Sequence, residues 1–456
     1  MSSARRRGSS IFAGLLLVLI GVLFSIDIFY PGLHLGHIIA LYWPVLLILW
    51  GVAKIFDYML AQRRGEARPA AMSGGEAALI VVLVLVLGGF VIRDWVRNRV
   101  PHFNIDMPQI GPSYTRSETL PPQTLPADSR LAIDIPRGDI SVEGHAGNDL
   151  LVNVKKSIWG LSQTSADRTL RQSNVAVVEM GGAYHIWPRF GVGSRPGASV
   201  DLDVQTPAST SVTANTGRGD IRISNADGAL QTRTRSGDVE VRDAGADVAV
   251  NMTHGDARIT GAAGNVSVAG RGGDVSVADV KGDVSIAGPF DGTIRAANVA
   301  QTIRCAQPWS QINASQLNGT LEADLGDVKI SGASGPVKIA THNADVDVKN
   351  ATGQLDITDA HADVKVTLSA PPREDIHITD DAGDVELTLP PQSAFEVSAI
   401  SRGGDVESDF DGGQLDLSNT DASGQISGRV GASGGPTITI VTTYGTIHLR
   451  KTSSNQ

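Results

Sequence analysis

The stretch Gly237-Asp238-Val239-Glu240-Val241 contains a motif, here called the phrase, that recurs about every nine residues. It consists of glycine, aspartate and then a polar residue between two apolar ones. Alternate side chains of a strand point to opposite faces, so each phrase predicts one short strand with one apolar face. Glycine supplies the backbone freedom of a corner, and the aspartate can bond nearby backbone N–H groups. Further copies are Asp247-Val248-Ala249-Val250, Gly255-Asp256-Ala257-Arg258-Ile259, Gly264-Asn265-Val266-Ser267-Val268, Gly273-Asp274-Val275-Ser276-Val277 and Gly282-Asp283-Val284-Ser285-Ile286.

One short strand cannot bury its apolar row alone, but stacked repeats share a continuous core. The sequence therefore predicts an all-β fold, a single-stranded β-solenoid over residues 128–450. Two phrases would form one flattened coil of about 18 residues, and about eight coils would make a rod of about 40 Å. A short helix is expected at 163–170, and the last phrases, 437–440 and 445–449, are expected to form a capping hairpin or final coil.

The composition differs between the two ends of the chain. Residues 1–100 carry a net charge of +5, and residues 101–456 carry −15. Such an acidic domain argues against nucleic-acid binding, which needs clustered Lys and Arg. The single cysteine, Cys305, excludes an intrachain disulfide framework and a cysteine-based zinc site.

Three apolar segments near the N-terminus predict three transmembrane α-helices, at about 11–30, 35–56 and 77–93. A cleaved signal peptide remains the alternative for the first segment, because three arginines precede it. The Pro-rich residues 100–127 predict an extended linker, and residues 451–456 a disordered tail.

The basic residues around these segments predict their orientation. Arg5, Arg6 and Arg7 precede the first span, and basic residues follow the second, whereas the turn between the two spans has no Lys or Arg. The positive-inside rule then places the N-terminus in the cytoplasm and, after three spans, the C-terminal domain outside it. The arginines at 93, 97 and 99 argue the other way.

Two resemblances extend this interpretation. The segment Trp43-Pro44-Val45-Leu46-Leu47-Ile48-Leu49-Trp50-Gly51 resembles the LiaI/LiaF-like membrane region of bacterial envelope-stress proteins. The Gly-Asp-Val/Ile phrases, with the ending Thr443-Tyr444-Gly445-Thr446-Ile447, resemble the bacterial β-strand-repeat domain labelled "putative adhesin", a family of unknown function. Together they imply a bacterial cytoplasmic membrane protein with an extracytoplasmic domain.

Side chains that could carry chemistry have simpler structural interpretations. The corner aspartates lack the Gly-Gly-x-Gly-x-Asp pattern of calcium-binding repeats; Asp274, Asp283 and Asp327 would be the first to hold calcium if it bound. The triplets Arg137-Gly138-Asp139 and Arg218-Gly219-Asp220 run directly into strands, so we interpret them as ordinary corners.

Two further residues are also expected to be structural. Cys305 stands where other phrases place an inward aliphatic residue, so we expect a buried, unreactive thiol. Trp309 is expected to cover the bend near Pro308, with a sugar-stacking role as the alternative.

The sequence predicts no catalytic, cofactor-binding or metal-binding residue, and no cofactor. The leading hypothesis is a non-enzymatic envelope sensing or scaffolding protein, held in the lipid bilayer and binding an envelope protein or polymer. An adhesin-like surface binding module is the alternative. A carbohydrate-active β-helix enzyme is a third, less favoured hypothesis. Such an enzyme needs carboxylates that converge in one groove, whereas the acidic residues of this sequence are spread evenly along the corners.

Overall fold

The structure is a computed structural model that describes residues 112–159, 163–189, 198–411, 414–421, 423–431 and 435–452. The three predicted membrane spans, the LiaI/LiaF-like segment and residues 100–111 lie outside the described residues. Within the described ranges, the only helix, α1 (Gln163–Gln172), has neither the length nor the hydropathy of a membrane span. The short helix expected at 163–170 is confirmed.

Thirty-two strands make up the rest of the regular structure in the described ranges. In the N-terminal part they are β1 (Ser113–Thr119), β2 (Gln123–Thr124), β3 (Arg130–Ile135), β4 (Ile140–His145), β5 (Asp149–Trp159), β6 (Asn174–Met180), β7 (Ala183–Arg189), β8 (Ala198–Pro207), β9 (Ser211–Thr216), β10 (Ile221–Ala226), β11 (Leu230–Thr234), β12 (Val239–Ala244), β13 (Val248–Met252), β14 (Ala257–Ala262), β15 (Val266–Gly270), β16 (Val275–Val280) and β17 (Val284–Ala287).

Two long strands lie near the middle of the solenoid, and shorter ones follow. They are β18 (Ile294–Ala306), β19 (Ser310–Ala323), β20 (Asp327–Ala333), β21 (Val337–Thr341), β22 (Asp345–Lys349), β23 (Leu355–Thr358), β24 (Val364–Thr367), β25 (Ile376–Asp380), β26 (Val385–Leu389), β27 (Phe395–Ser401), β28 (Val406–Ser408), β29 (Leu415–Thr420), β30 (Ser423–Val430), β31 (Thr437–Thr442) and β32 (Ile447–Lys451).

Alternate strands stack into two faces, which confirms the predicted β-solenoid. One face, called sheet A, stacks β7, β3, β9, β11, β13, β15, β17, the second half of β18, the first half of β19, β21, β23, β25, β31 and β27. The other, called sheet B, stacks β8, β4, β10, β12, β14, β16, the first half of β18, the second half of β19, β20, β22, β24, β26, β32 and β28.

Each sheet therefore carries fourteen stacked strands among the described residues, so the expected eight coils were too few. At about 4.8 Å per strand the stack is about 60 Å long rather than about 40 Å. The count missed coils whose corners lack the Gly-Asp phrase, such as the coil that contains β7 and β8.

The interior between the two sheets is a single dry core. Inward side chains from Leu125 to Leu449 form one continuous buried cluster, and they come from alternate positions of each strand. In β16, for example, Val275 and Val277 are buried while Ser276 faces out. This is the alternation that the phrases predicted, and burial of such apolar area is the main stabilising term of the fold.

One coil runs backwards. The first half of β19 pairs antiparallel with β18 and with β21, and its second half pairs antiparallel with β18 and with β20. Two tight turns, at residues 307–309 and 324–326, reverse the chain and then restore its direction. The strands on either side of the reversed coil are therefore parallel to each other, and the inward rows continue through it, as Cys305, Ile312 and Ile339 do.

Both ends of the stack are interleaved. Strands β3 and β4, the first coil in the chain, lie between the coil of β7 and β8 and the coil of β9 and β10. At the other end β31 and β32 lie between the coils of β25–β26 and β27–β28. The expectation that the last phrases form a capping hairpin or final coil is thus wrong in position: they form a coil, but an inner one.

Antiparallel strands cover both ends. Strand β1 pairs with β5, and β5 with β8, at the N-terminal end, while the hairpin of β29 and β30 joins β27 at the other end. Part of the predicted linker, Ser113–Thr119, is therefore strand β1. Its side chains are mostly polar and exposed, so it carries no apolar alternation that the sequence could show.

A pair of substitutions in β16 tests the alternation. Val275 is fully buried between Ala257 and Ile294 of the adjacent coils. Val275→Asp should lower the free energy of unfolding by about 3 kcal/mol or more, because it buries an unpaired carboxylate. Ser276→Asp should change it by less than about 0.5 kcal/mol, because Ser276 faces out between Arg258 and Arg295.

Urea unfolding of the full-length protein in detergent measures both variants. Equal unfolding midpoints for the two variants would contradict the assignment of inward and outward faces in β16.

Candidate functional site

Aspartates form a ladder along one corner of the solenoid. At the turn that leads from sheet A into sheet B, called the corner turn, each aspartate Oδ1 accepts the backbone N–H of the equivalent residue in the next coil. The donor–acceptor pairs are Asp139 to Asp201 (3.3 Å), Asp220 to Asp139 (2.9 Å), Asp238 to Asp220 (3.0 Å), Asp256 to Asp238 (2.9 Å), Asp274 to Asp256 (2.8 Å) and Thr293 to Asp274 (2.8 Å).

The same bond recurs elsewhere in the solenoid. At the opposite corner, Asp247 accepts from Asn265 (2.7 Å), Asn265 from Asp283 (2.9 Å) and Asp283 from Thr302 (3.0 Å). Beyond the reversed coil, the chain of acceptors runs through Asp345, Asp363 and Asp384 to the N–H of Thr446. The corner aspartates thus join successive coils, whereas the sequence analysis expected them to bond nearby backbone within their own turns.

The corner glycines are required by close stacking. Gly237 has φ of 140°, a region that L-residues with side chains rarely adopt. A Cβ at this position would collide with the carbonyl oxygen of Gly219 in the neighbouring coil. Glycine before aspartate is therefore a packing requirement as well as a conformational one.

The residues that the sequence singled out for metal are held in structural contacts. Asp274 and Asp283 belong to the ladders, and the carboxylate of Asp327 pairs with the Lys329 ammonium at 2.7 Å. No group of three or more His, Cys, Asp or Glu side chains that could hold a metal ion occurs in the part of the chain that the structure describes.

Both Arg-Gly-Asp triplets are rigid corners rather than loops. Asp139 and Asp220 are members of the ladder, and the N–H of Gly138 donates to the carbonyl of Arg218 at 2.8 Å. The two triplets therefore lie on adjacent coils and are bonded to each other. This placement agrees with their interpretation as ordinary corners.

Cys305 and Trp309 lie where the sequence analysis placed them. Cys305 faces inward from β18, and burial raises the pKa of its thiol to about 12, only partly offset by a hydrogen bond with Gln307. A thiol held protonated is a poor nucleophile. Trp309, in the turn after β18, packs partly buried against the core next to that turn.

A row of cationic side chains runs beside the ladder. It contains one residue from each of five successive corner turns, and we call it the cationic row: Arg137, Arg218, Arg235, His254 and Arg271. The guanidinium groups of Arg235 and Arg271 are exposed and form no ion pair within the described ranges. Each residue of this row precedes a ladder aspartate by two or three residues, so the charges of the four arginines lie beside the row of carboxylates.

The outer surface of sheet B continues this pattern. Register places Arg222, Glu240, Arg258, Ser276 and Arg295 in one outward line. Two neighbours in this line, Arg222 and Glu240, form an ion pair, with Nε 3.9 Å from Oε2. The sequence analysis missed both rows, because these residues become neighbours only once the 18-residue offset between stacked coils is known.

The spacing of the charges in these rows is suited to binding. Stacked strands repeat about every 4.8 Å, so the two rows present regularly spaced charges on a stiff support. Individual exposed contacts of this kind are weak, at about 0–1 kcal/mol each. Several of them in a fixed register favour a partner whose charges have a matching spacing.

Comparison with known proteins found a family model that matches part of the chain. Residues 262–450 match the model of the Toastrack domain, DUF4097. This match supports the predicted strand-repeat family of unknown function for the C-terminal part of the solenoid. No curated protein matches the chain.

Several solved structures show a slight likeness. A "putative cell adhesion protein" from Clostridium sporogenes is 9% identical, with 75% of this chain and 100% of that chain covered and a TM-score of 0.19. A "putative adhesin" from Parabacteroides merdae is 8% identical (75% and 98% covered, TM-score 0.20), and a "Putative lipid binding protein" from Parabacteroides distasonis 10% (75% and 98%, TM-score 0.16). Such TM-scores assign neither fold nor function.

Substitutions at Asp256 test the ladder. Asp256→Ala removes the acceptor of the Asp274 N–H and should lower the free energy of unfolding by about 1 kcal/mol. Asp256→Asn should preserve stability, because Asn265 already fills a ladder position with an amide oxygen. The two variants are compared by urea unfolding of the full-length protein; equal losses would show that the side-chain acceptor contributes nothing.

Proposed function

We propose that this chain is a non-enzymatic bacterial envelope protein, anchored in the cytoplasmic membrane by its N-terminal apolar segments. Its solenoid lies outside the cytoplasm and binds an envelope partner, as a sensing or scaffolding protein does. The observation that carries the proposal is that two charged rows, the cationic row and the ladder of aspartates, run side by side on a stiff stack. The apolar N-terminal segments and their flanking basic residues support the anchor.

The balance of charge favours a protein partner over a uniformly charged polymer. An anionic chain bound along the cationic row would also lie against the ladder carboxylates, which would repel it. A protein surface can place acidic groups opposite Arg235 and Arg271 and basic groups opposite Asp238 and Asp274. Complementary charge of this kind gives specificity and register more than raw affinity.

An adhesin-like surface module is the second candidate, supported by the match of residues 262–450 to a strand-repeat family and by the length of the stack. The two candidates differ in where the partner lies. A sensor or scaffold binds within the same envelope, whereas an adhesin binds a surface beyond the cell. A carbohydrate-active enzyme is disfavoured by the separation of the ladder carboxylates along the stack, one to each coil.

Reporter fusions test the anchor and its orientation. Alkaline phosphatase is active only outside the cytoplasm, so a fusion after residue 452 should be active, and a fusion of a cytoplasm-dependent reporter at the same site should be silent. The opposite pattern would reverse the orientation derived from the basic residues. Recovery of the full-length protein in the soluble fraction would refute the anchor.

Site-specific photocrosslinking tests the binding surface. A crosslinker at residue 278, on the outside of sheet B, should yield an adduct in native membranes, whereas one at residue 287, on the outside of sheet A, should not. Arg271→Glu should abolish the adduct, and Arg304→Glu, on sheet A, should leave it unchanged.

An adduct that is equally strong from both sheets, or that survives Arg271→Glu, would contradict the proposed surface. An adduct that forms only with material outside the cell would select the adhesin instead.

A further inference from the structure

A polar column runs inside the solenoid where the strands of sheet A end. In successive coils beyond the reversed one, the inward position at this place is held by Thr341, Asp359, Asp380, Thr442 and Ser401. Before the reversed coil, the same position holds Ile135, Thr216, Thr234, Met252 and Gly270. This column is the only part of the described dry core where two carboxyl groups are fully enclosed.

In four coils this position holds a hydroxyl that donates to a corner carbonyl. Thr216 Oγ1 donates to Gly138 O at 3.0 Å, and Thr234 Oγ1 lies 3.4 Å from Gly219 O. Thr442 and Ser401 make the same contact with Gly383 and Gly445, at 3.4 and 2.6 Å. Each carbonyl belongs to the residue just before a ladder position of the neighbouring coil. A side-chain donor at this position can therefore pair with that carbonyl, whereas Ile135, Met252 and Gly270 occupy the same position without one.

Asp380 occupies this donor position in its coil. Only 1% of its surface is exposed, and the equivalent corner carbonyl in the preceding coil is that of Ala362. Its Oδ2 lies 3.4 Å from Thr442 Oγ1, whose single proton can be donated either to this oxygen or to Gly383 O, and the carboxyl also receives backbone N–H groups of its own turn. Its Oδ1 is buried without a partner among the described residues. An ionised Asp380 would leave this oxygen buried and charged with no hydrogen-bond donor facing it among the described residues.

The neighbouring carboxyl adds to this conflict. Asp359 is 3% exposed and lies at the same position of the preceding coil. Its Oδ2 accepts the backbone N–H groups of His361 at 3.1 Å and Ala362 at 2.6 Å, and its Oδ1 has no partner within the described ranges. Two ionised carboxylates in adjacent buried positions repel each other strongly at low dielectric.

We propose that Asp380 is buried as a neutral carboxylic acid, and that loss of its proton loosens the polar column. The proton removes the charge from a carboxyl that is only 1% exposed. It also leaves at most one charge on the two adjacent carboxyls. The C-terminal half of the solenoid thereby contains a device that responds to pH.

The electrostatic surroundings agree with this assignment. Burial, and then the charge of Asp359, raise the pKa of Asp380, against backbone hydrogen bonds from Gly383, Ala382 and Asp381 that lower it. The titratable side chains in the corner turns of the packed coils are exposed. They are His342, Asp345, His361, Asp363, Asp381, Asp384 and Tyr444; these turns, residues 342–345, 360–363, 381–384 and 443–446, contain no Lys or Arg.

The sign of the pH dependence follows from the raised pKa. A group whose pKa is higher in the folded state stabilises the fold fully below its unfolded pKa, 3.8 for this carboxyl. That stabilisation disappears as the pH rises through the folded-state pKa. The contribution of Asp380 therefore falls between acidic and alkaline pH, and raising the pH favours opening of the coils that contain β23, β25 and β31.

The variant Asp380→Asn tests the proposal, because an amide donates and accepts like the neutral acid but does not titrate. In full-length protein in detergent, the wild-type Tm should fall relative to that of Asp380→Asn as the pH rises from about 5 to about 9. Asp380→Thr, which introduces the residue found at the equivalent positions 216, 234 and 442, should show the same weaker dependence of Tm on pH as Asp380→Asn. Asp381→Asn, an exposed neighbour with the same change in charge, should keep the wild-type profile.

A second readout is local. Hydrogen exchange at the amides of β25 and β31 should accelerate with pH in the wild type beyond the intrinsic chemical rate, and this excess should be absent in Asp380→Asn. The proposal is overturned by parallel Tm profiles for wild type and Asp380→Asn. It is equally overturned if the loss of Tm in Asp380→Asn grows as the pH rises, since an ionised carboxylate would then stabilise the fold.

Discussion

The register between coils is the constraint on which the rest of the structure depends. Each coil must place its backbone N–H groups opposite acceptors of the previous coil, and at the corners those acceptors are side chains such as Asp238 and Asp256. A slip by one residue would break these bonds and turn every inward side chain outward. The ladder and the dry core therefore specify the same register independently, which explains how so many short strands form one stack.

This constraint also explains how the reversed coil is tolerated. Strand β19 runs against its neighbours, yet its inward residues keep the rows of the core, so Ile312 still lies between Cys305 and Ile339. The polar contacts at the corner, in contrast, are not kept in the reversed coil. Ser310 and Thr341 face each other in register, and neither hydroxyl has a partner within the described ranges. A buried hydroxyl without a partner costs about 1–3 kcal/mol, so reversal keeps the apolar packing and sacrifices polar pairing at the corner.

The sequence predicted the local unit well and the order of the stack poorly. Inward positions such as Val275 follow from alternation alone, because period two is a property of any strand. The reversal and the interleaved ends were not predictable in this way, since β19, β31 and β32 have the same alternation as ordinary coils. Which coil a strand joins depends on long-range pairing, which the sequence pattern does not show. The charged rows could not be predicted for the same reason, because Arg222 and Arg258 belong to one row only through the register of the coils.

The inward position of Asp380 could nevertheless have been predicted from the alternation of its strand, although it lies outside the Gly-Asp phrase. It follows Ile376 and Ile378 at alternate positions, so the parity of β25 already points its side chain inward. The same parity applies to Asp359, which follows Leu355 and Ile357. An exposed ladder aspartate such as Asp384 has the opposite relation: it precedes its strand and accepts a backbone N–H from the next coil. Two aspartates four residues apart thus have different roles: Asp384 accepts a backbone N–H of the next coil, whereas Asp380 is enclosed beside a second carboxyl. Position relative to the strand, rather than residue type, decides which aspartates of a solenoid hold its coils together and which make it responsive to pH.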